Sequence, residues 1–266
     1  MSTKRPAIVL IHGLWVTPHC WDPFRRHYEA QGYEVLTPAW PGITGDAKQM
    51  RENPSGLNGV GAEQVIEHYA KIILSLPEPP IIMGHSYGGV ITQVLNNQGL
   101  GCSAVAIDSV PPKGIYVLPV STYLALLPAF LNPDTLHGTF LFTFEQFWRV
   151  FANTLSETEV REAYETQAIP ASGRAIFQAA LANFMTKAPT HIEFGKSDRA
   201  PLLLIGGEKD VIMPSALNRK NFAKYAGSKA VTEFKEFPGR SHYIIAEKGW
   251  EEVADHALQW ALEHAR

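Results

Sequence analysis

The chain alternates short runs of apolar residues with longer segments in which apolar side chains recur every three or four positions. The runs have the length of strands, and most are apolar throughout, as parallel strands covered on both faces are. The longer segments have the spacing of helices that bury one face. The predicted strands are Ala7–Ile11, Tyr33–Thr37, Pro79–Met83, Ala104–Ile107, Leu202–Ile205 and a more polar Val231–Phe237.

Helical segments fall between these strands. They are expected from about Pro18 to Gln31, over residues 60–76, from about Tyr87 to Gln98, and in a C-terminal segment that includes Trp250. Strands that alternate with helices are typical of βαβ units around a parallel sheet. The pattern therefore predicts an α/β fold with a mostly parallel, doubly wound sheet of about six strands.

This alternation stops between about Lys113 and Arg199. The stretch shows no clear strand, and its short helical patterns are separated by prolines, namely Pro119, Pro128, Pro133, Pro170 and Pro189. It is too long to be an unstructured loop in a compact domain, so we expect it to carry structure of its own. The predicted core is residues 1–112 and 200–266, and residues 113–199 form a helical cap inserted after the Ala104–Ile107 strand.

Composition narrows the class of protein. The net charge of −3 gives no basic excess for nucleic acid or an acidic membrane surface. No apolar stretch approaches the about 20 residues that span a bilayer, and no secretory segment is recognisable at the N-terminus. Cys20 and Cys102 lie far apart and favour neither a disulfide framework nor a metal site. We expect a cytoplasmic monomer or homodimer without a metal or a cofactor.

The motif Gly84-His85-Ser86-Tyr87-Gly88 fits the pattern G-x-S-x-G between a predicted strand and a predicted helix. A sharp turn at this junction strains the backbone of the serine, and small residues on both sides avoid a clash. The hydroxyl then stands at a helix N-terminus, where the dipole favours developing negative charge. Ser86 is the predicted nucleophile, and the alternative is a glycine-rich turn without chemistry.

A serine hydroxyl needs a base to remove its proton, and the base needs a carboxylate to fix its tautomer. His242 directly follows the last predicted strand, at the edge of the sheet where active sites of this fold class form. Asp210 follows the Leu202–Ile205 strand, which gives the chain order Ser, Asp, His of such triads. Asp108 also ends a predicted strand and is the alternative acid, unless it caps a turn or lines the pocket.

Acyl transfer also needs backbone donors for the oxyanion. One is expected to be the N–H of Tyr87, directly after the nucleophile, and the other the N–H of Leu14 in the loop after the first strand. Gly13 lets that loop pass close to a substrate. His12 is interpreted as a hydrogen-bonding residue beneath the loop rather than a catalytic one, because His242 already serves as the base.

These motifs make the chain similar to the α/β-hydrolase superfamily, in its branch of small capped esterases, lactonases and lyases. The matching segments are His12-Gly13-Leu14-Trp15, Pro38-Ala39-Trp40-Pro41-Gly42, Gly84 to Gly89, Gly207-Glu208-Lys209-Asp210 with Pro214, and Ser241-His242 with Glu247 and Trp250. The resemblance implies a Ser-His-Asp triad and a cap after the sixth of the family's eight strands. The chain starts at the family's third strand, so the first two are expected to be missing.

The expected function is hydrolysis of a small, largely apolar ester, lactone or related acyl compound through an acyl-enzyme on Ser86. The pocket is predicted to include Trp15, His85, Tyr123, Phe144 and Trp148, with further aromatic residues of the cap mostly in its own core. The alternatives are a lyase, a carbon–carbon bond hydrolase or a cofactor-free oxygenase of the same fold, and a non-catalytic receptor. A haloalkane dehalogenase is disfavoured because its nucleophile is a carboxylate.

Overall fold

The computed structural model describes residues 5–116 and 119–266. Residues 1–4 of the predicted core and residues 117–118 of the predicted cap lie outside the described residues. The strands are β1 (Ile8–Ile11), β2 (Val35–Leu36), β3 (Ile81–His85), β4 (Ser103–Ile107), β5 (Thr139–Phe140), β6 (Ala171–Ser172), β7 (Leu202–Gly207) and β8 (Thr232–Phe237). The helices are α1 (Asp22–Ala30), α2 (Ala47–Glu52), α3 (Ala62–Leu74), α4 (Tyr87–Asn97), α5 (Val120–Leu131), α6 (Phe144–Phe151), α7 (Glu157–Gln167), α8 (Gly173–Leu181), α9 (Ser215–Lys224) and α10 (Trp250–His264).

Six of the strands form one sheet in the order β2-β1-β3-β4-β7-β8, and every neighbouring pair in it is parallel. The predicted α/β fold with a mostly parallel, doubly wound sheet is confirmed. The inner strands β1, β3, β4 and β7 are buried along their whole length. Strand β8 lies at the edge and alternates between half-buried and exposed positions, which explains its more polar sequence.

Helices cover both faces of the sheet. Helix α4 packs against β3 and β4, and the α9 side chain of Asn221 donates a hydrogen bond to Gln93 of α4. Helices α1 and α10 pack against each other, and Tyr28 of α1 donates to the Ala254 carbonyl of α10. The chain runs from β1 outward to β2 and then crosses to β3 on the other side of β1. The loops after β1 and β3 therefore diverge, which opens a crevice at the carboxyl edge of the sheet.

The segment between β4 and β7 contains α5 to α8, as expected for a helical cap, and two sequence predictions about it are wrong. Pro128 does not end a helix, because α5 continues through it. The carbonyl of Leu124, which loses its partner to Pro128, belongs to an exposed residue and can bond water instead. The cap also has strands: β5 pairs with β6 in antiparallel orientation, and two-residue strands are too short to show alternation. The cap limits at 113 and 199 stay a prediction.

None of the described helices combines the length and the apolar content that crossing a bilayer requires.

Candidate active site

Ser86 occupies the junction between β3 and α4 with a φ of 57° and a ψ of −118°. This is strained backbone for a residue with a side chain, and such strain is maintained only by surrounding contacts. The Ser86 N–H donates to Ile107 O at 2.9 Å, and Ser86 O accepts from Val110 N–H at 3.0 Å. A Cβ at Gly84 would clash with the Gly88 carbonyl, so glycine at this position permits the turn. The junction has the geometry of a nucleophile elbow.

His242 and Asp210 form a buried pair in the loops after β8 and β7. The His242 Nδ1 atom lies 2.6 Å from Asp210 Oδ2, and Asp210 Oδ1 accepts from the N–H groups of Ile212 and Met213 at 2.8 Å each. With Nδ1–H donated to the carboxylate, the Nε2 atom of His242 carries the free lone pair of a base. Within the described residues Nε2 makes no hydrogen bond, to Ser86 or to any other group. Such contacts are often loose without a substrate.

Asp108 lies beside this pair rather than in it. Its Oδ1 accepts from the Gly207 N–H at 2.7 Å, while a His242 ring nitrogen, a His85 ring nitrogen and an Asp108 carboxyl oxygen all lie within 4.8 Å of one another. The hydrogen bond to the histidine is therefore made by Asp210, and Asp108 is an adjoining carboxyl. The sequence left these two acids as alternatives because both end a strand at the same edge of the sheet.

The loop after β1, residues 12–16, passes directly over Ser86. A Cβ on Gly13 would lie 2.7 Å from Ser86 Cβ, so the loop backbone is in contact with the serine. The predicted donor Leu14 follows Gly13, and Tyr87 is the first residue of α4, where a backbone N–H has no partner in the helix. Both predicted oxyanion donors therefore lie next to Ser86.

His12 holds the β1 loop from within. Its Nδ1 atom lies 2.9 Å from Gly13 O, and its Nε2 accepts from the Trp40 N–H at 3.3 Å. The first contact requires a proton on Nδ1 and the second a lone pair on Nε2, so the ring is neutral. Burial lowers the pKa of His12 to about 4, in agreement with that state. These contacts support the structural interpretation of His12.

The model of the alpha/beta hydrolase family matches residues 8–256, nearly the whole chain. The chain belongs to the alpha/beta hydrolase family. The resemblance seen in the sequence is thereby confirmed. A search of curated protein sequences gives no significant match.

Solved structures similar to this hydrolase agree with it in fold. A pyrethroid hydrolase from Sphingobium faniae JZ-2 is 21% identical, with a TM-score of 0.68 over 96% of this chain and 97% of that one. A polyneuridine aldehyde esterase is 16% identical, with a TM-score of 0.67 over 96% and 99% of the two chains. A methylesterase from Arabidopsis is 14% identical, with a TM-score of 0.67 over 97% and 99%. At these identities the likeness extends to the fold alone.

The side chains predicted to line the pocket of this hydrolase lie in different surroundings. Trp15 is buried and donates its Nε1–H to Phe140 O at 3.1 Å, and the His85 ring lies 4.6 Å from the His242 ring between centroids. Phe144 and Trp148 are half-buried and pack on each other. Tyr123 is 55% exposed. Among the described residues no observed contact ties the last three to Ser86, and their place in the pocket stays a prediction.

Phe151 of the cap packs on His242. Its ring lies edge-on to the His242 ring at 4.6 Å and is stacked on Phe147, one turn earlier in α6. Phe144 packs on Trp148 and lies under the Arg161 guanidinium. The sequence contains both pairs at the same helical spacing, so it cannot say which pair faces the histidine. That choice depends on how α6 is docked on the core.

The cap also contacts the loops that carry the candidate site. Asn153 donates to the Lys209 carbonyl, next to Asp210, at 3.1 Å, and the Thr154 hydroxyl bonds to Glu247. Glu247 in turn accepts from the N–H and the hydroxyl of Ser241, each at 3.0 Å. On the opposite side, Val16 of the β1 loop forms a β-bridge with Ala168. Sequence reasoning missed these contacts, because isolated polar residues in turns give no signal of their partners.

Ser86 is only 3% exposed. A small cavity of about 10 Å³ lies between the β1 loop and residues 169–172 of the cap.

Proposed function

We propose that this hydrolase cleaves small, largely apolar carboxylic esters or related acyl compounds through a covalent acyl-enzyme on Ser86. One observation carries the proposal. The His242 ring donates Nδ1–H to Asp210 at 2.6 Å and leaves Nε2 free, in a buried site that also holds Ser86 in strained backbone. A histidine in this tautomer is a general base.

The reaction follows from the roles of these groups. His242 Nε2 takes the proton of the Ser86 hydroxyl as its oxygen attacks the carbonyl carbon of the substrate, and the N–H groups of Leu14 and Tyr87 bind the resulting oxyanion. The leaving alcohol takes the proton from His242. A water molecule, deprotonated by His242, then attacks the acyl-enzyme, and the departing Ser86 oxygen takes that proton from His242 as the acid is released. Asp210 stabilises the imidazolium in both steps.

The surroundings of the site favour an apolar acyl group. Trp15 of the β1 loop packs on Phe142 with ring centroids 4.6 Å apart, and the Phe151 ring packs on His242. A hydrophobic wall of this kind binds alkyl or aryl groups through the area that it removes from water. The similar structures include an esterase, a methylesterase and a pyrethroid hydrolase, which is compatible with that substrate class.

The test is turnover of a series of p-nitrophenyl esters of increasing acyl length, combined with labelling by a fluorophosphonate probe. The wild-type protein is expected to hydrolyse the esters and to carry the label on Ser86. Ser86→Ala is expected to lose the label and to reduce kcat by about 10⁵-fold or more. Ser103→Ala is the matched control, because Ser103 is equally buried in β4 and its hydroxyl has no hydrogen-bond partner among the described residues.

The outcomes separate the alternatives. Activity retained in Ser86→Ala contradicts the proposal. A labelled Ser86 without ester turnover contradicts the ester substrate and directs the search to lyase, carbon–carbon hydrolase or oxygenase substrates. Absence of both label and turnover in the folded wild-type protein contradicts a catalytic role and favours a binding protein.

A further inference from the structure

One buried carboxyl has no part in the reaction described above. Asp108 is fully buried at the end of β4, and its backbone φ of 43° is rare for a residue with a side chain. Its Oδ1 atom accepts from the Gly207 N–H at 2.7 Å. Its Oδ2 atom is buried and has no hydrogen-bond donor among the described residues. An ionised carboxylate oxygen in that position lacks compensation, which is costly in a buried site.

The ionisable groups that face Asp108 come from four directions. Asp210 lies in the loop after β7, Glu247 in the turn before α10, His85 at the end of β3, and His242 in the loop after β8. The two acids oppose a negative charge on Asp108. Burial lowers the pKa of His85 well below its usual value, so that ring is neutral and supplies no balancing charge.

Asp108 and Asp210 are not equivalent in their hydrogen bonds. Asp210 accepts from Ile212 N–H, Met213 N–H and the His242 ring, whereas Asp108 accepts only from Gly207 N–H. Adjacent buried carboxyls cannot both carry a charge at little cost, and the one with more donors keeps the charge. Burial and the charge of Asp210 raise the pKa of Asp108 well above its usual value.

Resting on the proposed function, we propose that Asp108 is a positioning residue: it is held as the neutral carboxylic acid and donates its proton in a hydrogen bond to the Asp210 carboxylate. The proton lies on Asp108 Oδ2, the oxygen without another partner among the described residues. The bond to Asp210 gives that oxygen the partner that it otherwise lacks. It also helps to hold the Asp210 carboxyl, and with it the orientation of the base.

The proposed role of Asp108 predicts different effects for two substitutions at this position. Asp108→Asn keeps an acceptor for Gly207 N–H and a donor for Asp210, never ionises, and suits the positive φ about as well as aspartate does. Asp108→Ala removes both bonds. We expect Asp108→Asn to keep kcat within about threefold of the wild type, and Asp108→Ala to lower kcat about ten- to a hundredfold with little change in KM.

The pH profile of ester hydrolysis tests the charge state. If Asp108 is neutral in the working enzyme, Asp108→Asn leaves the acid limb of kcat/KM within about 0.3 pH unit of the wild type. If Asp108 were ionised, the substitution would remove a negative charge beside the imidazolium and move that limb to lower pH by about one unit. Such a shift, a loss in Asp108→Asn as large as in Asp108→Ala, or wild-type kcat in Asp108→Ala overturns the proposal.

A measurement without turnover separates this proposal from the proposed function. The infrared difference spectrum of wild type minus Asp108→Asn, recorded at neutral pH, is expected to contain the C=O stretch of a protonated carboxyl. Its absence in folded protein overturns the neutral Asp108 even if the ester assay succeeds, and its presence supports it even if no ester is cleaved. Circular dichroism and thermal unfolding check that both variants are folded.

Discussion

The contact between Gly13 and Ser86 makes a small substitution informative. In Gly13→Ala, the new Cβ would lie 2.7 Å from Ser86 Cβ and 3.2 Å from Ser86 Oγ. Carbon atoms in ordinary contact are about 3.5 Å or more apart. Ser86 cannot withdraw, because its N–H is bonded to Ile107 O at 2.9 Å in the neighbouring strand. The β1 loop must therefore move by about 1 Å, and the Leu14 N–H moves with it.

The size of the effect follows from that displacement. A shift of about 1 Å in a catalytic group costs on the order of 10²-fold in rate. Loss of one oxyanion donor costs about 10² to 10³ in kcat, which corresponds to about 3 to 4 kcal/mol in the barrier. Gly13→Ala is therefore expected to lower kcat by about 10² to 10³, with KM nearly unchanged. The crowding is also expected to reduce the free energy of unfolding by about 1 to 3 kcal/mol.

Initial rates with a p-nitrophenyl ester give kcat and KM, and urea unfolding gives the stability. Gly195→Ala is the matched control, because a Cβ on Gly195 would meet nothing within 4 Å. That variant is expected to behave as the wild type in both measurements. The reasoning is refuted if Gly13→Ala stays folded and keeps kcat within about threefold, since the β1 loop would then not hold an oxyanion donor.

Three further predictions concern the acid, the cap and the buried histidine. Asp210→Asn is expected to lower kcat by about 10⁴, because the new amide would hold His242 in the wrong tautomer. The control Glu208→Gln, at an exposed position two residues earlier, is expected to leave kcat unchanged. Equal effects of the two variants in the ester assay would contradict this prediction. Phe151→Ala is expected to reduce the free energy of urea unfolding by about 3 to 5 kcal/mol, because Phe151 is fully buried. Phe144→Ala at the half-buried position is expected to reduce it by less, and the reverse order would contradict this difference in burial. Burial lowers the pKa of His12 to about 4. Between about pH 4 and about pH 6.5, His12 is protonated in the unfolded chain but neutral in the folded protein. The contribution of His12 to the free energy of unfolding is therefore complete above about pH 6.5, and up to about 3 kcal/mol of it is lost as the pH drops to about 4. His12→Asn should abolish that part of the loss in urea unfolding, and an unchanged pH dependence would be evidence against it.

The core of this hydrolase could be predicted from the sequence because its strands are buried on both faces. A parallel strand between two helical layers is rich in apolar residues, so β1, β4 and β7 stand out as apolar runs. The last strand is more polar because it lies at the edge of the sheet. The edge strand β2 is limited to Val35–Leu36, shorter than the predicted Tyr33–Thr37, because only those residues pair with β1.

The secondary structure of the cap was harder to predict from the sequence, for a physical reason. Its elements are short, and α5 is apolar almost all round, so no stripe marks the face that packs inward. Proline breaks helices in general, but the residue whose carbonyl loses its partner to Pro128 is the exposed Leu124, so the lost hydrogen bond costs little. Local sequence patterns indicate neither the inward face of α5 nor the tolerance of Pro128, because both depend on what lies next to the helix.

The sequence by itself determined the fold class, the family and the sharp strand–helix turn at Ser86, because their signals are local: apolar runs of strand length, and a serine between glycines. The tertiary structure decided what depends on distance. It brought Asp210 rather than Asp108 to the Nδ1 atom of His242, although both acids end strands at the same edge. It also turned Phe151 of α6 toward the histidine. Hydrogen bonds and ring contacts act over a few ångströms, and residues far apart in the chain reach that range only after the sheet and the cap have packed.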